Sequence, residues 1–237
     1  MAIAMQSKMV EPTLSQFDSS DFRLWQLISP TLPIGAYAYS QALEYAVETG
    51  WVSDYSSAYE WMAGQLKATL GRLELPVCIR LFTAFSESDP VVAAHWNHFL
   101  LSSRETKELL LEDHQLGQAL ARLLKDLELE LPSAFRGEPI AYLTAFTFAA
   151  HSWSIPLHRA LPGFLWGWCD NQVSALIKLM PFGQTDGQRL LASLVESIPD
   201  IIEEAGLLSD DEIGNTAYGV AMASSMHEIQ YSRLFRS

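Results

Sequence analysis

The chain has 237 residues, 49% of them apolar and 18% charged, so it can bury a sizeable core and is not disordered throughout. Its 15 basic and 28 acidic residues leave a net charge of −13 at pH 7. Phosphate backbones and anionic lipid both require clustered Lys and Arg, so nucleic acid and a membrane surface are excluded as natural partners.

Residues 1–21 read as a flexible arm with no signal-peptide pattern. A short helix follows over Phe22–Ile28, and Pro33 and Gly35 make Thr31–Tyr39 a loop. The next helix starts near Ser40 and stops at Gly50, with Trp51 placed to pack back on it. Asp54 caps a helix carrying Ala58, Trp61, Met62, Leu66 and Leu70 at helical spacing, and Pro76 opens another to Ser86. Asp89-Pro90 is an N-cap followed by a first-turn proline, starting a helix to Leu101. Ser102 and Glu105 have capping-box spacing ahead of a long amphipathic helix with Leu109, Leu116, Leu120, Leu123, Leu124 and Leu127 on one side. After a break over 130–138, Pro139 opens a helix to Trp153 and Pro156 one to Leu179. Thr185 or Asp186 caps a helix bent at Pro199, and Ser209 with Glu212 forms a second capping box before a small-residue helix.

No stretch alternates with period two, and no repeat of solenoid length is visible. The expected fold is therefore all-α: a single-domain bundle of about ten helices over 22–226, with no significant sheet, followed by a tail over 227–237. The longest greasy run, 140–150, is well below the ~20 residues that span a bilayer, which with the missing signal peptide predicts a cytoplasmic protein.

Motifs for chemistry are missing. The sequence has no phosphate-cradling GxxxxGK[ST], no GxSxG elbow and no HExxH. Cys78 and Cys169 form no CxxC pair, so they read as small buried hydrophobes. His95 and His98 can share a helix face, but two ligands do not make a tight metal site. The residues point to binding rather than catalysis.

Two segments stand out. Helix 156–179 is apolar around so much of its circumference that a second buried face is expected, a subunit interface including Trp166, Asn171 and Gln172. The tail carries Tyr231, Arg233, Leu234 and Phe235, types that anchor interfaces. Two readings are open to it, docking on its own core and binding a partner, and composition does not separate them. In the partner-binding reading the tail is partly disordered when free, and it acts with the Pro33–Tyr37 segment, Tyr37 and Tyr39 of the Thr31–Tyr39 loop being presented rather than buried.

Four segments in order resemble the UreF family of urease accessory proteins. They are LWQLISPTLPIGAYAYSQALEYAVETGW (Leu24–Trp51), SSRETKELLL (Ser102–Leu111), LPGFLWGWCDNQVSALIKLMPFGQTDGQRLL (Leu161–Leu191) and HEIQYSRLFRS (His227–Ser237). Ala36 stands where the family pattern often has a second glycine, and 126–137 and the N-terminal arm carry no match. The resemblance implies an all-helical, dimeric adaptor without catalysis. Such an adaptor binds UreD (also called UreH) and recruits the GTPase UreG, so that nickel, the cargo, reaches the urease apoprotein. It binds no cofactor tightly itself. The alternative it implies is a regulator of the UreG GTPase, for which Arg104 and Arg233 are the arginines to test.

Overall fold

The computed structural model describes residues 18–237, so all of the expected arm except Asp18–Asp21 lies outside the described residues. Those four residues form the cap and first turn of the first helix. Asp18 caps α1 (Ser19–Leu27) by accepting from the Ser20 amide, and Asp21 reaches back to complete the box. Helices α2 (Leu43–Glu48), α3 (Tyr55–Gln65), α4 (Leu75–Ser86), α5 (Pro90–Ser102) and α6 (Lys107–Asp126) follow. Then come α7 (Tyr142–Ser152), α8 (Leu157–Leu179), α9 (Gln184–Val195), α10 (Ile198–Gly206) and α11 (Tyr218–His227). No strand occurs among the described residues, so the protein is the all-helical single domain expected. No helix among the described residues is long and apolar enough to cross a membrane.

Several boundaries differ from the sequence reading for identifiable reasons. The segment 66–74 is π-helical and joins α3 to α4 in one rod, so Pro76 falls inside a continuous helical path and does not begin a new helix. Ser102 and Glu105 form no capping box. Ser102 is still in α5, and Thr106 caps α6 by accepting from the Leu109 amide at 3.2 Å. Helix α7 starts three residues after Pro139, because Asn97 holds the preceding backbone extended. Its amide donates to the Pro139 carbonyl and its oxygen accepts from the Ala141 amide, both at 2.9 Å. Pro199 sits in the first turn of a separate helix, α10, and does not bend α9. The Ser209–Glu212 box is present, but it closes a 3₁₀ turn and α11 begins only at Tyr218.

The core is built around α4, which packs on α5, α7, α8 and α10. Val77 and Leu81 of α4 meet the same buried cluster as Leu120 and Leu124 of α6, Phe146 of α7 and Leu165 and Leu176 of α8. The backbone leading into α7 comes very close to α6 at Gly117. A Cβ added at Gly117 would lie 2.0 Å from the Ile140 carbonyl oxygen, with Ala141 backbone also in the way. Gly117→Ala is therefore expected to push the 140–141 backbone at the entry to α7 off α6 and cost about 3 kcal/mol, read as a lowered urea midpoint.

Two polar clusters lie within this apolar frame. One is a buried charge triad. Arg104 donates to Glu74 at 2.6 Å and to Asp113 at 2.9 Å, and the second Asp113 oxygen accepts from the Tyr142 amide at 2.7 Å. The triad ties the π segment, the α5–α6 connection, α6 and the start of α7 together. The other cluster holds the C-terminal tail.

Candidate functional site

The tail leaves α11 at His227 and runs between α2 and α6, each of which presents a carboxylate. Glu44 of α2 is buried and accepts from two consecutive tail amides, Leu234 at 2.6 Å and Phe235 at 2.8 Å. Glu108 of α6 accepts from the Arg233 guanidinium at 2.5 Å. The fully buried His227 ring lies between them, Nδ1 2.7 Å from Glu108 and Nε2 3.3 Å from Glu44. With carboxylates on opposite sides, the imidazole acts as a bridge across the start of the tail. Among the described residues no three His, Cys, Asp or Glu converge as metal ligands.

Beyond Phe235 the tail meets the loop before α2. The Arg236 amide donates to the Ala38 carbonyl at 2.9 Å, and the Ser237 carbonyl accepts from the Ser40 amide at 2.9 Å and the Ser40 hydroxyl at 2.6 Å. The Ser237 hydroxyl donates to Glu112 at 2.5 Å, and the other Glu112 oxygen accepts from the Gln41 amide at 2.8 Å. The loop and the tail named in the sequence reading are thus brought together.

Individual side chains divide by face. Tyr39 (5% exposed) and Phe235 (6% exposed) point inward. The Tyr39 hydroxyl donates to Gln115 at 2.5 Å, and Phe235 lies under the Lys178 ammonium, 5.6 Å from its ring centre. These two residues hold the tail seat together and have little surface to offer a partner. Tyr37 (66%), Leu234 (65%) and the fully exposed Tyr231 point outward, and Arg233 is partly exposed over Glu108. The expectation of a partly disordered free tail gives way to a docked one, because the burial of Phe235 and the carboxylates of Glu44, Glu108 and Glu112 offset its ordering entropy.

On α8, Trp166 is exposed, but Asn171 is occupied by the Tyr39 carbonyl at 3.3 Å. Gln172 is fully buried within its own chain and cannot present a face to a second copy. Arg104, sealed in its triad, cannot reach another protein's nucleotide.

Sequence reading missed the acceptors. A signal existed in Glu108 and Glu112, like charges four apart on one helix face, which repel unless donors lie opposite. Glu44, within the apolar stretch LEYAV, was a second.

Burial pushes the Glu112 carboxyl up to about 7, against the lowering effect of its Ser237 and Gln41 hydrogen bonds. The folded chain therefore keeps a proton that the unfolded chain releases between about pH 4.5 and 7. Stability is full below that window and falls as pH rises through it, by at most about 3 kcal/mol. Glu112→Gln, which stays neutral, is expected to flatten this fall when urea midpoints are compared at acid and alkaline ends.

The model of the UreF family matches residues 52–195, more than half of the chain. The chain belongs to the UreF family of urease accessory proteins. The UreF of Alkalilimnicola ehrlichii is 50% identical over 216 residues, covering 91% of this chain and 95% of that protein. The UreF of Chromohalobacter salexigens is 45% identical over 214 residues, covering 90% and 93%. The UreF of Teredinibacter turnerae is 44% identical over 214 residues, covering 90% and 97%. The tail clamp of this UreF-family chain lies C-terminal to the stretch matched by the family model.

Proposed function

We propose that this chain is the adaptor of urease maturation, a non-catalytic protein that binds UreD (UreH) and recruits the GTPase UreG. Nickel destined for the urease apoprotein is cargo of the assembly, and the chain binds no cofactor tightly. It works in the cytoplasm as a homodimer, for which Trp166 on α8 is the remaining candidate contact.

One observation carries this reading. The docked tail and α11 together leave a run of large apolar side chains facing solvent. On α11, Tyr218, Met222 and Met226 are exposed at successive four-residue spacings, and Ile229, Tyr231 and Leu234 continue the run. Exposed apolar stretches of this kind mark association sites, and a tail fixed by Glu44 presents them at little further entropic cost. The acidic charge of the chain and the family membership support the same reading.

The test is truncation. Deleting residues 231–237 is expected to leave the helical fold and the dimer mass intact while abolishing co-purification with UreD and, through it, UreG. Wild-type capture by the truncated chain would refute the site. The regulator reading retains Arg233, which reaches the surface. It predicts that Arg233→Ala lowers GTP turnover by UreG while the complex still assembles.

A further inference from the structure

The turn before α2 contradicts its own sequence. Ser40, Gln41 and Ala42 read as the cap and first residues of a helix, since serine is a good N-cap and glutamine and alanine are good helix formers. In the structure Gln41 (φ 52°) and Ala42 (φ 67°) are both left-handed, and α2 begins only at Leu43. Two consecutive non-glycine residues in that region are strained, and such a conformation persists only where its surroundings impose it.

The surroundings are the tail and α8. Ser40 is held by two hydrogen bonds to the Ser237 carbonyl. The Gln41 amide nitrogen donates to Glu112, whose second oxygen accepts from the Ser237 hydroxyl. The Gln41 oxygen accepts from the Trp168 indole N–H at 2.7 Å. A single run of hydrogen bonds therefore leads from the last residue of the tail, through the strained turn, to the middle of α8, two residues from the exposed Trp166.

We propose that the Gln41–Ala42 turn is a two-state coupling element, held left-handed by the docked tail, that transmits the position of the tail to α8 through Trp168. When the tail leaves, Ser40 loses its acceptor and Glu112 one of its donors. The turn then relaxes into the helix its sequence favours, and α2 lengthens back to Ser40. The Gln41 side chain moves with the backbone, and Trp168 loses its acceptor. By reciprocity, whatever fixes α8 in its present form also favours the docked tail. For the adaptor this rests on the reading of the tail as the partner site, and it makes tail occupancy and the α8 face interdependent.

The test needs only the chain itself, so it stands or falls separately from partner binding. The protein is labelled with 5-fluorotryptophan, and the Trp168 fluorine resonance is assigned by its loss in Trp168→Phe. Deleting residues 231–237 is expected to shift that resonance and to move the Ala42 ¹³Cα and ¹³Cβ shifts to helical values. Should the deleted chain not fold, Glu44→Ala in the full-length chain releases the same tail and gives the same two readouts. In a Gln41→Ala background, releasing the tail is expected to leave Trp168 where that substitution alone puts it. An unmoved Trp168 resonance, an Ala42 that stays left-handed, or an equal Trp168 shift with and without Gln41 would each overturn the proposal. The last would mean direct contact with the tail rather than relay through the turn.

Discussion

Replacing Glu44 with alanine is expected to detach the tail from an otherwise intact helical domain. Glu44 is the one side chain that accepts from both Leu234 and Phe235 while facing His227. Hydrogen bonds to a charged acceptor contribute ~1.5–3 kcal/mol each; the two tail amides lose theirs together, and the His227 ring loses its Glu44 contact. The two amides can recover by moving to water, but the fully buried His227 ring cannot without opening the end of α11. The expected net loss is about 2–4 kcal/mol, concentrated in the tail. Hydrogen exchange checks it: the Leu234 and Phe235 amides, expected to be slow in the wild type, should exchange at peptide rates in Glu44→Ala while α4 and α7 remain protected. Slow exchange at both amides in the variant would mean that Phe235 packing alone seats the tail.

A larger loss is expected at Arg104, and it should spread over the whole domain. The guanidinium serves two carboxylates that have little exposure of their own, Glu74 and Asp113; burial disfavours its charge, but the charges and hydrogen bonds of Asp113 and Glu74 outweigh burial and hold it protonated. Arg104→Met keeps much of the volume but leaves two acidic groups buried without a counter-charge, a loss of about 3–5 kcal/mol. The Asp113 oxygen that receives the Tyr142 amide would have to be protonated or exposed, loosening α7 from α6. Thermal unfolding should show a strongly lowered midpoint. Restoring neutrality with Glu74→Gln and Asp113→Asn in the same chain should recover part of it, although Asp113→Asn also weakens the cap on α7. A midpoint near wild type for Arg104→Met would show that water reaches the triad.

The sequence was most legible where local chemistry decides structure. Asp54 and Asp89 cap α3 and α5 as their spacing predicts, and Pro156 marks the start of α8. It was least legible where distant groups override local preference. Asn97 delays α7 by holding residues 139–141 extended, and no local pattern near Pro139 could reveal a side chain on another helix. The same holds for the site. Tyr231, Leu234 and Tyr37 were recognisable as surface anchors from residue type, and they are exposed. Tyr39 and Phe235, equally plausible by type, point inward, where Tyr39 donates to Gln115 and Phe235 lies under the Lys178 ammonium. Gln172 sits one position from Asn171 on α8, and the helical turn between them places it in the core.

The outward face of α11 and the tail, rather than the fold alone, is the proposed surface for capturing the partners. The most direct measurement is the mass, by size-exclusion light scattering, of mixtures with UreD and UreG of the same organism. The chain to compare carries Met222→Asp and Leu234→Asp, two exposed positions whose side chains make none of the hydrogen bonds that seat the tail. The expected result is an unchanged mass for the variant alone, protected Leu234 and Phe235 amides, and capture of UreD weakened by ~100-fold or more, about 2.7 kcal/mol. Assembly of the variant at wild-type concentrations, with its tail still docked, would contradict the assignment of that face.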